Sequence, residues 1–260
     1  MEARLKRTGR IIALVGAVFI ATNLFLLLVA ETTWASSNPL AGKRVLIEGD
    51  SIQCGFGKFA ETAAKAMGAK QVKNRSKNGA IMALGRFRKN STLWRVRRMS
   101  YAEIRKYNYI IITTGTNDYY RFYRVKPGTV NSTNVKTTGG ALNYIIRRIQ
   151  LASPETKIVI VTPIHRFSKR KSCEKIENRY GKTLADYRKV ITDVASRYEN
   201  VYVIKGTDIS RAKEMKRQSN SQDGLHPKKK YAKNILAKRF KALFVKTVIN
   251  KPAVDDVGNN

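Results

Sequence analysis

Apolar residues recur along this chain in short clusters separated by stretches of helix-forming sequence. Val45-Leu46-Ile47 is the centre of one cluster; residues 109–113, 157–162 and 201–204 form others, with a weaker one at 71–73. Short apolar runs bounded by polar sequence are the mark of strands, so strands are predicted at 43–48, 71–73, 109–113, 157–162 and 201–204. Between them lie segments rich in helix formers, with apolar positions that can share one side of a helix: 55–67, 93–106, 140–151, 183–198 and 228–245. Strands alternating with helices of this length predict an α/β fold, a three-layer sandwich with a central parallel sheet covered on both faces. The polar stretch 128–138 is expected as a loop, and no internal repeat is visible.

The N-terminus has a different character. Arg4, Lys6, Arg7 and Arg10 precede residues 11–30, which contain no charged side chain. That length suits one hydrophobic helix crossing a membrane, with the basic end in the cytoplasm and the rest of the chain outside. Thr33 and Ala35 also have the small-residue spacing that a signal peptidase accepts, so an uncleaved anchor and a secreted product cut after Ala35 both stay open. The expected organisation is an anchor or signal peptide over 1–35, a linker over 36–42, one domain over 43–248 and a polar tail over 249–260.

Charge narrows the partners. The 260 residues carry 51 Lys and Arg against 18 Asp and Glu, a net +33. Residues 1–35 hold four basic and two acidic residues, so the exported part keeps +31. A surface so positive attracts polyanions, less strongly as salt screens it. Outside a membrane the first polyanions met are lipid head groups and wall or capsule polymers, and nucleic acid is not an expected partner. Solubility alone does not require so lopsided a balance. The two cysteines, Cys54 and Cys173, lack metal-ligand spacing, and no metal or cofactor is expected. Export permits a disulfide, and one between Cys54 and Cys173 is expected because both fall at the same edge of the sheet; two free thiols are the alternative. No feature specifies an oligomeric state.

In parallel α/β sheets, working residues collect where strands run into loops at the carboxyl edge. The strand assignments put Gly49-Asp50-Ser51, Asn78-Gly79, Gly115-Thr116-Asn117-Asp118 and residues 163–166 there. A serine between a strand end and a helix start exposes its hydroxyl beside free backbone N–H groups suited to an oxyanion. A hydroxyl needs a base to become a nucleophile, and the only histidines are His165 and His226. His226 lies in Asp223-Gly-Leu-His-Pro, where the carboxylate three residues earlier can hold the imidazole through its other nitrogen. His165 has no carboxylate near it in sequence, and with Arg166 it is assigned to a substrate-facing loop.

Singly, each motif has a plain explanation as a cap, a turn or a loop closed by Pro227. Together, in this order, they resemble the SGNH/GDSL hydrolase family, whose blocks are a Gly-Asp-Ser near the N-terminus, a glycine, a Gly-x-Asn-Asp and an Asp-x-x-His. The matching stretches are Val-Leu-Ile-Glu-Gly-Asp-Ser, Asn74 followed by Gly79-Ala80, Ile-Thr-Thr-Gly-Thr-Asn-Asp and Asp-Gly-Leu-His-Pro, spread over residues 45–243. The resemblance implies the flavodoxin-like SGNH fold and a serine esterase or acylhydrolase. It implies Ser51 as nucleophile, His226 as base and acid, and Asp223 as its orienting carboxylate. The oxyanion hole would comprise the backbone N–H groups of Ser51 and Gly79 and the Asn117 amide. One departure is that Lys77 and Asn78 precede Gly79 where the family often has small residues.

Fold and triad do not select among lipids, acylated sugars, aryl esters and thioesters. Export and the basic surface favour O-acyl groups on an anionic envelope or extracellular polysaccharide. The alternatives are a lipase or phospholipase on small or lipid esters, and a non-catalytic polyanion-binding surface protein. If the charge serves capture, Arg86, Arg88, Arg121, Arg124, Arg166, Lys169 and Arg170 are expected around the cleft mouth.

Overall fold

The structure is a computed structural model and describes residues 38–250 except 86, 87, 121, 123 and 170. The hydrophobic segment at 11–30 and the tail beyond 250 lie outside the described residues. Among the described residues no helix is long and apolar enough to cross a membrane.

Five strands, β1 (Arg44–Glu48), β2 (Gln71–Asn74), β3 (Tyr109–Ile112), β4 (Lys157–Val161) and β5 (Val201–Ile204), form a parallel sheet in the order β2-β1-β3-β4-β5. Side chains alternate across it: Val45, Ile47, Ile111, Val159 and Val161 join one apolar cluster, while Leu46, Ile110, Ile112, Ile158 and Ile160 join the other. Both faces are covered, which is why the strands read as unbroken apolar runs. Helices α1 (Phe59–Ala66) and α5 (Ala237–Phe244) cover the first face with Phe59, Phe240 and Phe244. Helices α2 (Thr92–Arg97), α3 (Thr138–Ala152) and α4 (Leu184–Ala195) cover the second with Leu93, Ile145, Ile149 and Ile191.

Two helices differ from expectation. The segment 93–106 is broken, because Ser100 takes an extended conformation and its hydroxyl accepts the Glu103 N–H at 3.1 Å, starting a separate turn at Tyr101–Ile104. The segment 55–67 becomes helical only at Phe59, after a wide turn at Ile52–Phe56 and the left-handed Lys58 (φ 50°). A hairpin pairing Phe167–Ser168 with Lys171–Ser172 is too short to show any periodicity in sequence.

The ends of the sheet are distinct. Leu40 donates its N–H to the Met67 carbonyl at 2.9 Å, so the described chain enters at the amino edge, opposite the edge where β1 delivers Ser51. On the way to the His226 loop, Glu214 accepts two Arg239 N–H bonds at 2.6 and 2.8 Å and the Tyr231 hydroxyl at 2.8 Å. The Arg239 hydrogen bonds hold the Glu214 carboxyl down at about 2, so α5 stays tied to this segment by an ionised carboxylate.

Candidate active site

β1 ends at Glu48, and Gly49 makes the exit. A Cβ there would lie 2.4 Å from Thr113 Oγ1 and 2.8 Å from Gln53 Cβ, so the close approach requires glycine. Asp50 shapes the next turn: its Oδ1 accepts the Ile52 N–H at 2.9 Å, and its carbonyl accepts the N–H groups of Gln53 and Cys54. Ser51 lands at the start of the helical turn, with its Oγ 2.9 Å from His226 Nε2.

Asp50 is wholly buried, and burial pushes its carboxyl up to about 7 against the pull of the Ile52 N–H. An acid whose folded pKa lies above its ordinary value of 3.8 contributes stability that is complete below about pH 4 and is lost as pH rises through 7. Asp50→Asn keeps an acceptor for Ile52 and removes the titration. The difference in melting temperature between variant and wild type should therefore shift in the variant's favour from pH 4 to pH 8. A pH-independent difference would refute the buried-acid account.

The His226 loop is organised by one carboxylate. Asp223 Oδ1 accepts the backbone N–H groups of His226 at 2.7 Å and Leu225 at 2.9 Å, while Oδ2 lies 2.5 Å from His226 Nδ1. The spacing of three residues lets Asp223 cap the turn and hold the ring together. Desolvation pushes the Asp223 carboxyl upward, but the backbone and ring N–H of His226 and the Leu225 N–H outweigh it and hold it below its ordinary value. With Nδ1–H donated to a carboxylate, the neutral ring presents Nε2 as an acceptor toward the Ser51 hydroxyl. The Phe56 ring lies against the imidazole, centroids 4.1 Å apart.

The loops after β2 and β3 are stitched together. Asn117 Nδ2 donates to the Ala80 carbonyl at 3.0 Å; Asp118 accepts the Met82 N–H at 2.8 Å, the Ala83 N–H at 3.2 Å and the Thr138 hydroxyl at 3.2 Å. Burial pushes the Asp118 carboxyl up to about 6, against these donors. Gly79 sits at φ 68°, the left-handed region that favours glycine, and its N–H has no acceptor among the described residues. Asn117 is buried and uses one amide hydrogen on Ala80, which leaves the other for a ligand.

His165 and Arg166 are placed differently from the other candidates. His165 Nδ1 lies 3.5 Å from Glu174 Oε1, an ion-pair separation too long for a good hydrogen bond, and its backbone N–H donates to Ser210 Oγ at 3.0 Å. Glu174 reaches it through the hairpin, a partner that sequence proximity could not reveal. Arg166 is buried, donates to the Thr116 carbonyl at 3.2 Å and stacks over Tyr120 and Tyr119, bracing the turn that carries Asn117. The expected disulfide is not formed: Cys54 and Cys173 are free thiols. Cys54 belongs to the turn after Ser51, whereas Cys173 is buried in a separate cluster with Tyr119, Leu184 and Tyr187. Of the cleft-mouth cations, Arg86, Arg121 and Arg170 lie outside the described residues. Lys169 lines a recess of about 270 Å³ beside Asp223.

A hydroxyl, an imidazole and a carboxylate in hydrogen-bonded series, at the carboxyl edge of a parallel α/β sheet, form the layout of a serine-type hydrolase. The model of the GDSL-like lipase/acylhydrolase family matches residues 48–231. The chain belongs to that family and is an ester-bond hydrolase.

Solved structures agree with the fold. One at 25% identity superposes with a TM-score of 0.68, over 78% of this chain and 96% of its own. A protein from Lactobacillus plantarum, 19% identical, gives 0.64 over 78% and 97%. A carbohydrate acetylesterase family member from Sinorhizobium meliloti, 17% identical, gives 0.53 over 78% and 98%. None of the curated proteins matches the chain.

Proposed function

We propose that the protein is an exported serine esterase that removes O-acyl groups from an anionic envelope or extracellular polysaccharide, using Ser51, His226 and Asp223. The observation that carries this reading is the series from Ser51 Oγ to His226 Nε2 at 2.9 Å and from His226 Nδ1 to Asp223 at 2.5 Å. His226 takes the hydroxyl proton as Ser51 attacks the ester carbonyl, and the alcohol leaves with that proton. Water, deprotonated by His226, then releases the acid and restores Ser51. The charge that develops on the carbonyl oxygen meets the N–H groups of Ser51 and Gly79 and the second amide hydrogen of Asn117.

Asn117→Ala should lower kcat about a hundredfold or more with little change in KM, since its amide meets the oxyanion only in the transition state. A change confined to KM would remove Asn117 from that role.

Substrate class is argued from placement and charge. The described chain enters at the amino edge, opposite the edge that carries Ser51, which leaves the ester site open on the side away from the chain's entry. The +31 of the exported part favours a polyanion. A lipase or phospholipase is the second reading, favoured by Phe56, which is 45% exposed while stacked on His226 and offers an apolar surface to an acyl chain. The test is hydrolysis by the detergent-solubilised full chain of an aryl acetate, an O-acetylated polyuronate and phospholipid vesicles. Turnover of the aryl ester establishes an esterase, and preference for the polyuronate over phospholipid supports the polysaccharide reading. No turnover on any ester leaves a polyanion-binding surface protein.

A further inference from the structure

We propose that the cleft beside the loop after β2 is a subsite for the oxyanions of an anionic glycan, carboxylate or phosphodiester, flanking the ester presented to Ser51. The glycan rests on the esterase reading above; the anion binding stands without it. The cleft encloses about 600 Å³, and no acidic side chain lines it. Five cations do, and they divide into two sets. Arg75 and Arg95 are committed to Glu48, and Arg75 also to Glu103. Lys77, Lys89 and Arg98 are exposed and have no carboxylate at ion-pair distance among the described residues.

These three come from separate elements: the loop after β2, the short turn Arg88–Asn90 and the end of α2. Their convergence on one concavity concentrates positive potential that only a ligand or solvent ions can neutralise. Trp94 supplies the second recognition element. Half-buried in the same cleft, with the Arg98 guanidinium 5.0 Å from its ring centroid, it offers a flat apolar surface to a sugar ring.

The cleft is joined to the ester site through one loop. The Lys77 N–H donates to the Gly49 carbonyl at 3.1 Å, two residues before Ser51, and Gly79 follows two residues after Lys77. The departure of Lys77 from the small residues usual at this block thus has a physical meaning, because it directs a free cation into the cleft. A glycan is favoured over nucleic acid because the neighbouring site handles carboxylic esters, which nucleic acid lacks.

The test uses the full-length Ser51→Ala chain in detergent at low salt. A polyuronate, a poly(glycerol phosphate), a neutral glucan and a single-stranded DNA are titrated by calorimetry. Lys77→Glu, Lys89→Glu and Arg98→Glu together should weaken polyanion binding at least tenfold more than Lys233→Glu, Lys238→Glu and Lys246→Glu, an equal charge change on the closing helical segment. With Trp34→Phe added, the emission of Trp94 should shift on binding. Losses of this pattern with either polyanion support the subsite, and the tighter of the two identifies the oxyanion. Equal losses from both variant sets, glucan binding as tight as polyanion, or single-stranded DNA binding as tight as either would overturn it. Aryl acetate turnover by wild type is measured separately. Turnover without polyanion binding removes the subsite alone, and binding without turnover removes the esterase reading alone.

Discussion

Ester hydrolysis by Ser51→Ala, and separately by His226→Ala, should fall by at least about a thousandfold while both variants keep near-native melting temperatures. In the proposed mechanism the two side chains act in one proton transfer: without Ser51 no acyl-enzyme would form, and without His226 the hydroxyl would stay protonated and the alcohol would leave without an acid. The double variant should therefore be no slower than either single one, since each has already removed the whole route. Asp223→Asn should also be severe, but for mixed reasons, because Asp223 holds the ring through Nδ1 and caps the backbone of Leu225 and His226. The decisive measurement is kcat on an aryl acetate beside a melting curve. Turnover within tenfold of wild type in a folded Ser51→Ala or His226→Ala protein would remove these residues from the chemistry.

What could be read from the sequence was whatever a local pattern encodes. Ile110, Ile111 and Ile112 announce a strand because both sheet faces are covered, so no polar position interrupts the run. Asp223 and His226 are legible because one turn brings them together at a spacing of three. The break at Ser100 is hidden by Val96, Met99 and Ile104, all buried in one cluster on either side of it, so the apolar pattern continues across a chain that is no longer one helix. Pairings made by topology are hidden altogether. Glu174 reaches His165 through a hairpin of two-residue strands, and Arg95 reaches Glu48 across 47 positions. The expected disulfide failed for the same reason: placing Cys54 and Cys173 on one edge says nothing about the Tyr119 and Tyr187 cluster that encloses Cys173.

The hidden pairing around Glu48 leads to the largest expected effect on stability. Glu48 is the last residue of β1 and wholly buried; Arg95 Nε donates to its Oε2 at 2.7 Å, and Arg75 Nε lies 3.0 Å from Oε1. Arg95 also donates to the carbonyls of Asn90 at 2.8 Å and Gly49 at 3.4 Å, and to Thr92 Oγ1 at 3.1 Å. Burial raises the Glu48 carboxyl above its ordinary value even though both guanidinium groups pull it down, so the two partners do not fully offset the desolvation of the charged form in the native chain. Arg95→Ala takes away the better aligned partner and leaves the carboxylate with Arg75 alone. Breaking a buried pair in this way costs about 3–5 kcal/mol, whereas Glu48→Gln removes the charge itself and should cost less. A raised carboxyl contributes its stability below the ordinary value of 4.5 and loses it as pH rises. The deficit of Arg95→Ala relative to wild type should accordingly be larger at pH 7 than at pH 4, where Glu48 takes up a proton. Denaturant melts at the two pH values measure both claims. A deficit below about 1 kcal/mol at pH 7, or one equal to that of Glu48→Gln, would show that Arg75 alone neutralises the carboxylate and that Arg95 serves only the neighbouring carbonyls.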